Sequence, residues 1–203
     1  MFWAEVFGFI AAVLGVLQAW PQVRKIRVLG HGHGVSLAMW VLMTGSSAAW
    51  LGHGIRIGSP SLIASTVASA VMNLAVVLAL TSSPRTVVLR FAVLSSATVA
   101  AMALLPLAVT TPVLFAFTLS RVPQIARSWR SKRDGVPGSA VSMGMLSMSI
   151  ACLVAWGVYS VLWQSWVLVG TTALALITAV LVAYLELSNT ANRTNRVELR
   201  ASV

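Results

Sequence analysis

The sequence is poor in charge, and poorest in acid. Asp, Glu, Lys and Arg make up 9% of the 203 residues, and only four are acidic, whereas an ordinary soluble domain carries about 25% charged residues. With 58% of the chain apolar, such a surface excludes a water-soluble fold. A single cysteine excludes a disulfide framework and any cysteine-based metal centre. No phosphate-cradling glycine loop, catalytic triad or complete metal motif is present, so ATP drive and enzymatic chemistry lack support and no cofactor is expected. The acids Glu5, Asp134, Glu186 and Glu198 lie at the ends of apolar runs, in a loop or in the tail. Proton-coupled carriers usually place carboxylates or histidines within the membrane. Here only His53 could substitute, which favours uncoupled, downhill movement.

What is there is a series of apolar runs. Seven candidates cover about 3–23, 35–57, 60–82, 86–108, 110–127, 139–163 and 165–187, each near the ~20 residues a span needs. The first lacks a basic leading region and carries Glu5, so it reads as a span rather than a leader. Arg24, Lys25, Arg27, Arg85, Arg90, Arg127, Arg130, Lys132, Arg133, Arg193, Arg196 and Arg200 all fall on one side of this arrangement. Cytoplasmic loops retain Lys and Arg, which places the amino terminus outside and the carboxyl terminus inside. The net charge of +10 then reflects topology and anionic headgroups rather than nucleic acid.

Spans one to three and five to seven read as copies. Pro21-Gln22 recurs 102 positions later as Pro123-Gln124. Beyond it the offset is 106: Val35-Ser36 and Val141-Ser142, Met39 and Met145, Ala49-Trp50 and Ala155-Trp156, Ser59 and Ser165, Leu62 and Leu168, Thr66 and Thr172. Two copies in the same orientation need one extra crossing, which span four supplies. The fold expected is an all-α membrane protein of seven transmembrane helices. Residues 1–83 form the first three-helix repeat, 84–109 a linker helix, 110–188 the second repeat and 189–203 a cytoplasmic tail. Parallel repeats of this kind are a transporter architecture with the solute site near the midplane.

Two Pro-Gln pairs, each closing the first helix of a three-span repeat in a 3+1+3 layout, resemble the PQ-loop superfamily and most of all the SWEET sugar transporters. Trp50-Leu51-Gly52-His53-Gly54, mirrored by Trp156-Gly157-Val158-Tyr159-Ser160, is similar to the Trp-x-x-Tyr-Gly run of bacterial half-size members. The resemblance implies a facilitative, alternating-access uniporter for a small neutral solute, a mono- or disaccharide, and the heavy use of Arg over Lys points to a GC-rich bacterium and so to a bacterial cytoplasmic membrane. It admits a homo-oligomer. It also implies a sugar sandwiched between Trp50 and Trp156. The family's sugar-facing Asn falls at or beside Thr66 and Thr172, and its outer-gate aspartate is missing after His53. Two other readings stay open: a proton-linked amino-acid carrier, as other PQ-loop proteins are, and a non-transporting receptor of the KDEL-receptor type.

The residues sort into candidate roles, each with a plainer alternative. Proline removes one backbone donor and clashes with the carbonyl four residues back, here Leu17 and Leu119. Pro21 and Pro123 therefore mark hinges, or simply helix ends, with Gln22 and Gln124 placed to satisfy the freed groups. Trp50 and Trp156 line a pocket, or anchor at the interface as Trp3, Trp163 and Trp166 do. Ser46 and Cys152 lie one turn before them on the same face, as pocket floor or as small residues where helices approach. Thr66, Ser69 and Asn73 form one stripe, with Asn73 lining the path or bonding between helices. His53 and Tyr159 sit near the outer mouth as gate residues. Arg121, inside span five, either snorkels to the inner headgroups or meets an anionic group. Gly30-His31-Gly32-His33-Gly34 offers two imidazoles without a third ligand, so no metal site is expected.

Overall fold

The computed structural model describes residues 2–81, 83–134 and 140–201, with side chains through residue 189. Nine α-helices are present among them: α1 Phe2–Leu17, α2 Ala19–Leu29, α3 Leu37–Ile57, α4 Pro60–Ala79, α5 Pro84–Leu104, α6 Leu107–Thr118, α7 Val122–Asp134, α8 Met143–Leu162 and α9 Trp166–Ala201. A 3-10 turn, Leu119–Arg121, joins α6 to α7. Taken as continuous rods, α1–α2 and α6–α7 reduce the nine to seven. Five stretches are long and apolar enough to cross a membrane. This is an all-α membrane fold with two three-helix repeats and a linker helix.

Both proline-containing rods break where the chemistry requires. Pro21 has no N–H for the Leu17 carbonyl, and α1 ends at Leu17. Pro123 deprives Leu119 in the same way, and there the chain tightens into the 3-10 turn. The later helices open on serine caps in register. Ser36 Oγ accepts from Met39 N–H at 3.2 Å and Ser142 Oγ from Met145 N–H at 3.3 Å. Ser59 Oγ accepts from Leu62 N–H at 3.3 Å and Ser165 Oγ from Leu168 N–H at 3.5 Å. Each such cap stabilises its helix by about 1 kcal/mol. The matched serines are thus the same device used twice.

In each repeat the third helix lies between the other two: α4 contacts α1 and α3, and α9 contacts α8 and the α6–α7 rod. The repeats meet where α1 packs on α8 and α3 packs on α6. The linker α5 packs on α3, close enough that a Cβ on Gly52 would lie 2.6 Å from the Val99 carbonyl oxygen. Arg56, at the end of α3, fastens the same corner through the Ala103 carbonyl (3.0 Å), the Leu105 carbonyl and Thr110 Oγ1 (3.3 Å). Met102 is the one residue buried along α5, and beyond the basic first turns with Arg85 and Arg90 most of the rest is apolar surface suited to lipid.

Some boundaries differ from the sequence reading. The fifth rod opens at Leu107 and runs through its break to Asp134, because the basic segment after Pro123 continues as helix. The last helix likewise continues through the expected tail to Ala201. Ser82, the expected end of span three, and Ser139, the expected start of span six, lie outside the described residues, as do 202–203.

Candidate functional site: a cavity between the repeats

A cavity of about 180 Å³ lies between the two repeats. Its wall draws on equivalent positions: Trp50 and Trp156, Ser46 and Cys152, Thr66 and Thr172. The span-three stripe of Thr66, Ser69 and Asn73 also lines it, as does Arg121. The space is smaller than the ~300–1,000 Å³ of drug-sized ligand sites, so it suits one small ring rather than a chain of them.

The hydroxyl of Thr66 is turned back on its own helix, donating to the Leu62 carbonyl at 2.8 Å. Thr172 Oγ1 lies 3.4 Å from Ser160 Oγ. Cys152 faces the cavity, but its thiol donates to the Ala11 carbonyl at 3.2 Å and so ties α8 to α1. Asn73 does both things expected of it in part. Its Nδ2 donates to Ser47 Oγ of α3 at 3.5 Å, while its Oδ1 is buried without a donor. The repeat equivalent, Ala179, is fully buried.

Arg121 corrects one reading. It does not reach towards headgroups: its Nη2 donates to Ser149 Oγ at 2.7 Å, across to α8, and the side chain lines the cavity. The 3-10 turn carries Arg121, and the tighter winding there turns it towards the cavity. A cation so placed costs at least ~2.5–3.5 kcal/mol.

Gln22 and Gln124 correct another. Neither amide serves the carbonyl freed by its own proline; each crosses to the other repeat. Gln22 Nε2 donates to the Ala140 carbonyl and its Oε1 accepts from Ser142 N–H, both at 2.9 Å. Gln124 Oε1 accepts from Ser36 N–H at 2.8 Å and its Nε2 donates to the Gly34 carbonyl at 3.1 Å. The loop backbone before α3 and α8 has unpaired groups that must be satisfied when buried, and a flat side-chain amide matches one donor and one acceptor at once. Ala140 N–H also donates to the His33 carbonyl at 2.8 Å, so the two loops pair directly. Around these clasps Val35, Met39, Trp40, Val141, Met145 and Leu146 form one buried cluster from both repeats.

At the opposite end Tyr159, fully buried, donates to Ser59 Oγ of the first repeat at 2.8 Å. Glu5 completes the group, accepting from Ser59 Oγ at 3.2 Å and Ser61 N–H at 3.1 Å. The close approach needs Gly8, since a Cβ there would collide with Ser61. Trp163 stacks on the Tyr159 ring at 5.4 Å rather than standing free as an anchor. His53, at the position matching Tyr159, is buried edge-on to Trp50 (5.7 Å), and neither ring nitrogen has a partner.

Sequence reasoning missed Gln18, Ser149, Glu5 and Ser59. Gln18 and Ser149 line the cavity, and Gln18 Oε1 is buried without a donor. Spacing held the signal: Gln18 lies four residues before Gln22, and Ser149 three before Cys152, each on a shared helix face. Glu186 is at a span end as read, yet buried, accepting from Ser128 Oγ, which in turn accepts from Gln124 Nε2 at 3.1 Å. Among the described residues no three metal-ligating side chains gather.

No family model matches the sequence, and no curated protein does. Two solved chains are similar in structure. One is a eukaryotic SWEET transporter, with a TM-score of 0.60 and 15% sequence identity over 93% of this chain and 99% of that one. At that identity the likeness is one of fold: this chain has the architecture of a SWEET transporter.

Proposed function

We propose that the protein is a membrane carrier that moves a small hydroxylated solute of the sugar class by alternating access, without proton coupling. One observation carries this reading: a single cavity is lined by equivalent residues of both repeats, with cross-repeat ties above and below it. Breaking the Tyr159–Ser59 tie opens one mouth, and breaking the Gln22 and Gln124 clasps opens the other. The helix breaks at Pro21 and Pro123 are the hinges on which each half swings. Trp50 and Trp156 offer two apolar faces to a ring, each with one polar N–H. Thr172, Ser46 and Asn73 supply polar contacts at the rim, and the fold of a SWEET transporter agrees with the reading.

The test is flux. Purified protein in liposomes, without a proton gradient, equilibrates at least one radiolabelled monosaccharide or its oxidised derivative with saturable kinetics. Trp50→Ala and Trp156→Ala each reduce that uptake at least tenfold. Flux that requires a proton gradient favours the amino-acid-carrier reading. Saturable binding with no flux of any solute favours the receptor reading.

A further inference from the structure

We propose that the solute carries a carboxylate held by Arg121, and that it is therefore a sugar acid of one ring rather than a neutral sugar. The inference rests on the carrier reading and narrows its substrate. A guanidinium has five N–H donors in a planar fork, and the partner it has here is one hydroxyl, Ser149 Oγ. The acids whose side chains are described are engaged elsewhere: Glu5 with Ser59 and Ser61, Asp134 with Arg133, and Glu186 with Ser128. None of them lines the cavity. A cation in a low-dielectric chamber, with donors to spare and no protein counter-charge, selects an anion, and the fork matches a carboxylate with two parallel bonds.

The rest of the wall asks for the opposite chemistry. Asn73 Oδ1 and Gln18 Oε1 are buried acceptors without donors, in the same cavity as Arg121. An inorganic anion without O–H groups, such as chloride, nitrate or sulfate, would leave both unmatched, and hydrogen phosphate or bicarbonate would bring donors but no ring face for the two indoles. A neutral sugar would match them through its hydroxyls and leave Arg121 uncompensated. A zwitterionic amino acid would place an ammonium where no carboxylate awaits it. A hydroxylated carboxylate answers all three groups. With Trp50 and Trp156 on the wall and about 180 Å³ of space, a single ring such as a hexuronate fits the description.

The experiment compares glucuronate, galacturonate and glucose in the same proteoliposomes at neutral pH without a proton gradient. At least one hexuronate enters with a kcat/KM at least tenfold above that of glucose, and an interior-positive potential speeds its entry, because a negative charge moves with it. Arg121→Gln, which keeps hydrogen bonding and removes charge, lowers hexuronate uptake at least a hundredfold and cuts the preference for hexuronate over glucose at least tenfold. Arg121→Lys keeps the charge and retains more hexuronate uptake than Arg121→Gln. Quenching of tryptophan fluorescence by hexuronate in detergent, lost in Arg121→Gln that elutes as a folded species, reports binding apart from flux. Glucose uptake without hexuronate uptake, or an unchanged preference in Arg121→Gln, overturns this inference and leaves the carrier reading standing. If neither kind of solute enters, both fall.

Discussion

Tyr159 and His53 occupy matching places in the two repeats but hold different roles. The phenol reaches across to Ser59, whereas the imidazole rests against Trp50 with its nitrogens unpaired. One end of the cavity is therefore tied by one tyrosine hydroxyl, and removing it should be legible in access to the cavity. Cys152 is the one cysteine in the chain and lines the cavity, so it is a built-in reporter. In Tyr159→Phe the loss of a hydrogen bond of about 1 kcal/mol should raise the rate of Cys152 alkylation by a small maleimide about fivefold, with Cys152→Ala as the unlabelled control. The roles of such residues were partly legible beforehand. Trp50 and Trp156 stood out by duplication. Arg121 did not declare its direction, because the 3-10 turn that aims it depends on Pro123 and on what α8 offers opposite.

The breaks at Leu17 and Leu119 follow from local stereochemistry, and the serine caps from local hydrogen bonding, so both helix ends and their register could be read from short stretches of chain. The clasps could not. Gln22 meets partners 118 and 120 positions away, and Gln124 meets partners 88 and 90 away; nothing in the neighbourhood of either glutamine encodes that meeting. The Pro-Gln pair is thus two devices side by side, a proline that interrupts its own rod and an amide that grips the other. Gln22→Ala and Gln124→Ala each strand one buried carbonyl and one buried N–H, at about 1–3 kcal/mol per group. Either substitution should lower the thermal midpoint in detergent by several degrees, measured by a cysteine-independent assay such as tryptophan fluorescence, and the double variant should lose more than either. A midpoint unchanged in both singles would show that the clasps do not hold the fold at that end.

At the scale of the molecule, the two halves are copies in architecture but not in chemistry. Equivalent positions pair Ser46 with Cys152, Asn73 with Ala179 and Ala19 with Arg121; Asn73 and Arg121 line the cavity where Ala179 and Ala19 do not, so its wall is lopsided. The linker α5, fastened to α3 by Arg56 and Gly52, makes the first repeat the larger body of the two. The charge pattern adds a topology that fusions can read. Alkaline phosphatase joined after Gly58 should be active and joined at the carboxyl terminus inactive, while a fluorescent protein at the carboxyl terminus should glow; the reverse result would invert the orientation. The crosswise clasps carry a last consequence. Because each half grips the other's loop, that end is tied from both sides at once, by four bonds that each contribute about 1 kcal/mol. On the carrier reading proposed above, a vacant molecule latched from both sides guards the cell against dissipating its gradients through an idle pore, and the arriving cargo itself supplies the difference in affinity that unlatches it.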